Sequence, residues 1–342
     1  MKRILIILML CPVLAFSQTT GKLLSLDKYM VPVNEKGACV GNFMVQGNNK
    51  VELVKDPSGL FVINGTKLCL KANKSITANS PMIFDITVKY KNEEKEFSIV
   101  KDQFIHNKVV AHRGAWKHYD VHQNSMGALK HAVELGCEAS EFDVWLSKDR
   151  RVVLNHDHEI DGLIIEETEL AEMRKIILES GEVMATLEQY LEYIKTQNKT
   201  RLVLELKTNK QNKRGFDLAD SAVNIVHRMK AQAWVDYISF DYDVLVRVHS
   251  LDSGAHLAYL GADRPMDLQK VEGMSGIDYH FSQFNRIERM YDRARALGFT
   301  INIWTVNDEK VMRELLDMNV DFITTDEPEL LLKIISETKK SK

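Results

Sequence analysis

Short apolar runs alternate with clusters of turn residues from about residue 21 to residue 104. In Ile83–Tyr90, the apolar residues Phe84, Ile86 and Val88 fall on one parity and polar residues fall mostly on the other. This period of two is typical of a strand that is buried on one face. Several such runs, separated by turns, predict a small antiparallel β-sandwich.

Beyond Lys108 the pattern changes to strand-like runs separated by segments of helical period, which places a domain boundary near residue 105. One helix should begin at Thr186, since Thr186 and Gln189 form a capping box. Its apolar face is made of Leu187, Tyr190, Leu191 and Ile194. A second helix is expected over residues 286–297, ended by Gly298. A third should follow Asn307, with Val311, Met312, Leu315 and Leu316 on one side.

Nine strand candidates occur in this second region: residues 108–112, 138–144, 152–156, 201–206, 236–240, 256–260, 276–281, 299–304 and 320–324. Alternation of strands and helices over this length predicts a (β/α)8 barrel. Nine is one run too many, so one must be peripheral or the segmentation is wrong. Residues 144–151 are too few for a crossover helix, but they can span about 26 Å. We therefore expect a strand-like link there that descends the barrel wall without a helix.

The first 17 residues have a basic start, an apolar core and small residues at Ala15 and Ser17. This pattern predicts a secretory signal peptide and export to the periplasm or the exterior. A lipid-modified Cys11 is the less favoured alternative, because Leu10 is bulky. The apolar run is shorter than a membrane span of about 20 residues. The predicted domains are therefore residues 18–105, the sandwich, and residues 106–342, the barrel.

Charge and cysteine content narrow the classes of partner. The chain has 45 basic and 48 acidic residues, a net charge of −3, and no long basic block. Nucleic acid is therefore not an expected partner. Three cysteines remain after the predicted cleavage, and they allow either a Cys39–Cys69 disulfide or three buried thiols. The sequence leaves both alternatives open.

Two histidines follow predicted strands, and the carboxyl ends of barrel strands are where active sites form. His112 and Arg113 follow the first strand and precede Gly114, while His156 ends the run VVLNHD. Hydrolysis by general acid–base catalysis needs one group that takes a proton and one that gives it. Histidine serves both roles near neutral pH. We therefore predict that His112 and His156 are the proton-transfer pair, and which one is the acid stays open.

Carboxylates occur with strand spacing in two of the predicted barrel strands. Glu141 and Asp143 are two residues apart, so both should face the barrel interior. Glu205 and Lys207 share a face in the same way. Carboxylates placed together inside a protein either have a raised pKa or bind a cation, and ligands that are all oxygen suit Ca²⁺ or Mg²⁺. We predict one such ion bound by Glu141, Asp143 and Glu205, with Lys207 directed toward a phosphate.

The runs HRG, NS, EFDVWLSKDRRVVLNHD, LELK and WTVN occur in the order and approximate spacing that resemble glycerophosphodiester phosphodiesterases. The resemblance covers about residues 108–335 and implies a TIM barrel. It also implies hydrolysis of a small glycerophosphodiester to glycerol 3-phosphate and an alcohol through a cyclic phosphate. The implied substrate-binding residues are Arg113, Lys207, Asn124 and Trp304. The sandwich block weakly resembles a cadherin-like or immunoglobulin-like domain.

One departure concerns the segment after HRG, where the family usually reads Pro-Glu-Asn-Thr and this chain has His122, Gln123, Asn124 and Ser125. The lost charge could change metal preference or activity. Alternative functions are a phosphodiesterase for lysophospholipids or polymeric glycerol phosphate, and an inactive barrel in a binding or adhesion protein. For each of these functions, the expected partner of the N-terminal domain is glycan, protein or the cell envelope.

Overall fold

The structure is a computed structural model that describes residues 22–45, 47, 50–208, 214–284 and 289–340. The predicted signal peptide, with Cys11, lies outside the described residues. No helix in the described part of the chain is both long enough and apolar enough to cross a membrane.

The N-terminal domain is built from two β-sheets that share one core. Its strands are β1 (Met30–Val31), β2 (Cys39–Asn42), β3 (Val51–Lys55), β4 (Phe61–Asn64), β5 (Lys67–Leu70), β6 (Ile83–Tyr90) and β7 (Glu93–Lys101). One sheet has the order β1-β7-β6-β3 and the other β2-β5-β4. All pairings are antiparallel except β1 with β7. Phe61 of one sheet contacts Phe84 of the other, with ring centroids 5.9 Å apart.

Two features of this domain answer questions that the sequence raised. Phe84, Ile86 and Val88 are buried along β6, as the alternation predicted. Cys39 and Cys69 lie directly opposite each other on β2 and β5 and are joined by a disulfide. Cys137 is a buried free thiol in the barrel. The resemblance to a cadherin-like or immunoglobulin-like domain stays a prediction.

The second domain contains alternating strands and helices. Its strands are β8 (Val109–Ala111), β9 (Ala139–Leu146), β10 (Val152–Leu154), β11 (Glu159–Ile160), β12 (Leu163–Ile164), β13 (Arg201–Leu206), β14 (Val235–Ser239), β15 (Leu257–Tyr259), β16 (Gly276–His280), β17 (Thr300–Trp304) and β18 (Phe322–Thr325). Its helices are α1 (Met126–Leu135), α2 (Leu170–Met173), α3 (Leu187–Ile194), α4 (Gly215–Arg228), α5 (Tyr242–Leu251), α6 (Met266–Val271), α7 (Phe281–Phe284), α8 (Met290–Ala296), α9 (Glu309–Asp317) and α10 (Pro328–Lys340).

Eight parallel strands close into a barrel in the order β8-β9-β13-β14-β15-β16-β17-β18, and β18 pairs with β8. The ninth predicted run is β10, which pairs antiparallel with β9. The predicted link down the barrel wall is therefore wrong. Strand β9 continues beyond the barrel, and the chain then reverses in a tight turn. In this turn the Ser147 N–H donates to the Arg151 carbonyl at 2.9 Å, and the Ser147 carbonyl accepts from the Arg150 N–H at 3.0 Å. The crossover to β13 has its helix, α3, which follows the hairpin.

The helices follow the predicted periodicity. Gln189 accepts a hydrogen bond from the Thr186 backbone N–H at 3.0 Å, and the predicted apolar face of α3 is buried. Helix α8 begins at Met290. Residues 286–288, the first of its predicted range, lie outside the described residues. It ends before Gly298, whose φ of 68° only glycine adopts without strain. Helix α9 buries Met312 and Leu315.

The sandwich packs against the barrel at the end where the parallel strands begin. The Leu23 N–H donates to the Leu251 carbonyl at the end of α5. Lys95 Nζ lies 2.8 Å from Nδ1 of His227, whose Nε2 lies 2.6 Å from Oδ2 of Asp252. A Cβ atom on Gly254 would lie only 2.0 Å from the carbonyl oxygen of Leu26. The opposite end of the barrel, where the strands finish, stays open.

Candidate active site

Three carboxylates meet inside the barrel near the carboxyl ends of two neighbouring strands. Glu141 and Asp143 project inward from β9, and Glu205 of β13 is the register partner of Asp143. All three side chains are buried, and one oxygen of each lies within 4.8 Å of the others. The alternation of a strand produces this arrangement, because residues two apart point to the same side. The three residues predicted to bind a metal are therefore together.

The charges of this cluster are poorly compensated. Burial, together with the charges of Asp143 and Glu205, raises the pKa of Glu141 well above its ordinary value. Burial and Asp143 raise the pKa of Glu205 to about 8. Burial acts the same way on Asp143, but Lys207 and Asn124 hold its pKa below the ordinary value. Oxygen Oε1 of Glu141 is buried without a hydrogen-bond partner among the described residues. Excess negative charge and oxygen-only ligands fit a hard divalent cation.

Two cationic side chains border the carboxylates. Lys207 Nζ lies 2.9 Å from Oε1 of Glu205 and 3.1 Å from Oδ1 of Asp143. Those two neighbours outweigh burial and raise the pKa of Lys207, so the amine is charged. The backbone N–H of Arg113 donates to Oε2 of Glu141 at 2.9 Å, and its Nε lies 3.7 Å from Oδ2 of Asp143. Both residues face the cavity, where they can contact phosphoryl oxygens.

His112 follows β8, and its ring is held by Asp326. Its Nδ1 lies 2.7 Å from Oδ1 of Asp326, and since a carboxylate only accepts, Nδ1 carries the proton. Its Nε2 lies 4.0 Å from Oε2 of Glu141. Asp326 is itself fixed by Asn307, whose Nδ2 donates to Oδ2 at 2.7 Å. Sequence reasoning missed Asp326 and Asn307, although both come directly after predicted strands, in TTDEP and WTVN.

His156 reaches the site from the hairpin and not from a parallel strand. The Asn155 N–H donates to the Asp143 carbonyl, which brings the next residue to the mouth of the barrel. Nδ1 of His156 lies 2.7 Å from Oδ1 of Asp157. Burial and the nearby charge of Lys207 lower the pKa of His156. Trp145 donates its indole N–H to the His156 carbonyl at 3.3 Å and so supports this loop.

Asn124 forms a paired contact with Asp143. Its Nδ2 donates to Oδ2 of Asp143, and its Oδ1 accepts from the Asp143 N–H, both at 2.9 Å. The carboxamide is thus engaged at both ends, which suits the positioning of a metal ligand better than contact with phosphate. The neighbouring Gln123 accepts a hydrogen bond from Nη1 of Arg113 at 2.8 Å. Ser125 caps helix α1 by accepting from the Ala128 N–H.

Trp304 belongs to a small cavity at the centre of the barrel mouth. Its indole N–H donates to the Asp278 carbonyl at 3.0 Å, and its ring makes an edge contact with Phe240. The cavity has a volume of about 60 Å³. Its lining contains the two histidines, the two cations and two of the three clustered carboxylates, and the rest of it is largely apolar. The lining residues are His112, Arg113, Glu141, His156, Glu205, Lys207, Ile238, Phe240, Leu260, Asp278, Trp304 and Thr324.

A closed (β/α)8 barrel with acidic and basic groups gathered at its carboxyl end defines the class, a TIM-barrel enzyme. A sequence profile described as "Glycerophosphoryl diester phosphodiesterase family" matches residues 112–330. The chain belongs to this family, and it is a phosphoric diester hydrolase.

Individual relatives agree with this assignment. The chain is similar to a crystal structure of a glycerophosphodiester phosphodiesterase from Parabacteroides distasonis, with 38% identity and a TM-score of 0.66 over 69% of this chain and 99% of that one. A glycerophosphodiester phosphodiesterase from Caldanaerobacter subterraneus is 27% identical over 66% of this chain and 97% of its own length. A phosphodiesterase from Oleispira antarctica, in complex with the product sn-glycerol-3-phosphate, shares the fold at 24% identity, with a TM-score of 0.61 over 67% of this chain and 96% of that one.

Proposed function

We propose that this enzyme hydrolyses a small glycerophosphodiester to glycerol 3-phosphate and an alcohol, with His112 and His156 as its proton-transfer pair. The observation that carries the proposal is the convergence of both histidines, Lys207 and Arg113 on one cavity beside the carboxylate cluster. The similar protein from Oleispira antarctica is in complex with sn-glycerol-3-phosphate. The cavity's volume of about 60 Å³ favours a small polyol over an acyl chain at its base.

The two histidines would move protons at opposite sides of the phosphoryl group. One takes the proton of the attacking hydroxyl, which belongs to water or, if a cyclic phosphate forms first, to the neighbouring position of the glycerol unit; water then opens that ring to give glycerol 3-phosphate. The other gives a proton to the departing alkoxide. Each such transfer contributes roughly 10² to 10⁴ in rate. Asp326 holds the His112 ring by its protonated Nδ1, so Nε2 is left to face the substrate.

Glu141, Asp143 and Glu205 would hold one divalent cation, Ca²⁺ or Mg²⁺. When bound, such an ion supplies Lewis-acid stabilisation of the charge that develops on phosphoryl oxygens. Arg113 and Lys207, which border the same carboxylates, would bind these oxygens as well, and Asn124 keeps Asp143 in position. The ion would also relieve the repulsion that raises the pKa of Glu141 and Glu205.

Hydrolysis of a panel of glycerophosphodiesters, with and without EDTA, tests the proposal directly. We expect EDTA to abolish turnover and added Ca²⁺ or Mg²⁺ to restore it. His112→Ala and His156→Ala should each lose roughly 10² to 10⁴ in kcat. His106→Ala is the matched control, because this exposed histidine lies at the other end of the barrel. Turnover that is insensitive to EDTA or to both active-site substitutions contradicts the mechanism.

We further propose that the protein is exported and that the sandwich domain attaches it to glycan, protein or envelope. The support is the predicted signal peptide and the position of the sandwich at the end of the barrel away from the cavity. Fractionation of cells that produce the tagged protein tests export. Recovery of the full-length, uncleaved chain in the cytoplasm would contradict it.

A further inference from the structure

Asp278 is a buried acid that the mechanism above does not use. It lies on β16, faces the barrel interior and lines the catalytic cavity, with 2% of its surface exposed. Its Oδ1 has no hydrogen-bond partner among the described residues. In the described part of the chain, no Lys, Arg or His nitrogen forms an ion pair with its carboxyl group. A buried carboxyl oxygen without a hydrogen-bond partner is costly and calls for an explanation.

Neighbouring side chains hold Asp278 in place but do not satisfy it. Asn302 of β17 is its register partner and hydrogen-bonds to its carboxyl group. Asn302 also donates from Nδ2 to Oγ1 of Thr324 at 2.8 Å. Burial raises the pKa of Asp278 to about 7. One side of the carboxyl group is therefore fixed by Asn302, and the other is left for a partner that the protein does not supply.

The position of Asp278 separates it from the phosphoryl-binding groups. Strand β16 lies four strands from β9 in either direction around the barrel, so Asp278 is on the wall opposite Glu141. On one side of β16, the neighbouring strands β15 and β14 and the residues that follow them contribute Ile238, Phe240 and Leu260 to the lining. On this far wall the described lining contains one carboxyl group, set among apolar surfaces. A ligand group that reaches this wall can hydrogen-bond to little else there.

We propose that Asp278 is a specificity-determining residue that hydrogen-bonds a hydroxyl group of the glycerol unit. This role rests on the proposed function, and it makes Asp278 the side chain that recognises the glycerol unit. The cavity is narrow and is closed below by the barrel interior, where Val110, Val203 and Ala258 pack together. Only a small unit fits there, so the alcohol of variable size extends toward the open mouth. The glycerol hydroxyls are then the polar groups that face the far wall.

The test compares two substrates with one leaving group. One is glycerophosphocholine, and the other is its analogue that lacks the terminal glycerol hydroxyl but keeps the hydroxyl next to the phosphoester. Wild-type enzyme should prefer the first by about 10- to 100-fold in kcat/KM, the range of a hydrogen bond to a charged group. Asp278→Ala should lose this preference and change kcat/KM for the analogue by less than about twofold. Asp278→Asn should be intermediate, because its carbonyl oxygen still accepts.

Asp292→Asn is the matched control, since Asp292 is exposed on α8 and should leave both rates unchanged. Thermal unfolding establishes that each variant is folded, and if the alanine variant is not, the asparagine variant gives the substrate ratio. Equal losses on both substrates, or an unchanged ratio, would overturn the role of Asp278 and leave the proposed function intact. A wild-type enzyme that cleaves neither substrate would overturn the proposed function itself.

Discussion

Nδ1 of His112 lies 2.7 Å from Oδ1 of Asp326, although the two residues are 214 positions apart in the sequence. The contact joins the first and last strands of the barrel at the point where it closes, since β8 pairs with β18. A histidine that acts in catalysis needs a fixed ring orientation and a fixed tautomer, and a carboxylate on the other nitrogen supplies both. Closure of the barrel therefore also completes the proposed proton-transfer group.

Asp326→Asn should lower kcat by about 10- to 100-fold, because the ring of His112 loses the acceptor that fixes its tautomer. KM should change much less, since Asp326 does not line the cavity. Steady-state kinetics on glycerophosphocholine measures this split. Asn307→Ala, which removes only the group that holds Asp326, should act in the same direction with a smaller effect. An unchanged kcat in Asp326→Asn would show that His112 needs no orienting partner.

Removal of metal should make stability depend on pH through the carboxylate cluster. In the folded protein without metal, the pKa of Glu205 is raised to about 8, whereas in the unfolded chain it is about 4.5. Below about pH 4.5 the carboxyl group is protonated in both states, and its contribution to stability is complete. That contribution is lost as the pH rises through the folded pKa. In EDTA, the melting temperature should therefore fall between about pH 5 and pH 8. Excess Ca²⁺ or Mg²⁺ should raise it most at the upper end of this range.

Glu205→Gln gives the matching comparison, because an amide of similar shape does not ionise. In EDTA its melting temperature should fall less with pH than that of wild type, and added metal should stabilise it less. Parallel curves for the two proteins would show that Glu205 does not carry the pH dependence.

Strand and helix periodicity was sufficient to predict the barrel and the inward direction of Glu141, Asp143 and Glu205. It failed for His156, because a run of three apolar residues does not reveal whether a strand pairs parallel in the barrel or antiparallel in a hairpin. Asp326 and Asp278 were missed for a different reason. Their importance depends on which residues lie across the barrel, and a single sequence does not contain that information.

Gln123 is the position where this chain departs from the usual family pattern, and in the structure its side chain contacts Arg113. Gln123 accepts from Nη1 of Arg113 at 2.8 Å without adding charge. Gln123→Glu should form an ion pair with Arg113 and place a further negative charge near the carboxylate cluster. We expect roughly 3- to 10-fold tighter binding of Ca²⁺ or Mg²⁺, because the attraction between the added carboxylate and the ion is partly screened. Calorimetric titration of the metal-free protein measures the change.

Gln123→Ala is the control, since it frees Arg113 and adds no charge. If the glutamate and alanine variants bind metal equally well, charge at this position does not determine affinity.

A substitution at Gly254 tests whether close packing holds the sandwich domain against the barrel. Since a Cβ atom there would lie 2.0 Å from the Leu26 carbonyl oxygen, Gly254→Val cannot keep the present approach of the two domains. The free energy of unfolding should fall by about 1–3 kcal/mol, as for an overpacked interface. Activity on soluble glycerophosphocholine should stay unchanged, because the catalytic cavity is at the opposite end of the barrel.

Lys230→Ala is the control at the same interface. It removes only the ion pairs with Asp85 and Glu96, which are largely exposed, and should cost no more than about 1 kcal/mol. A large loss of kcat in Gly254→Val, with the fold intact by circular dichroism, would show instead that the sandwich acts on the catalytic end through the barrel.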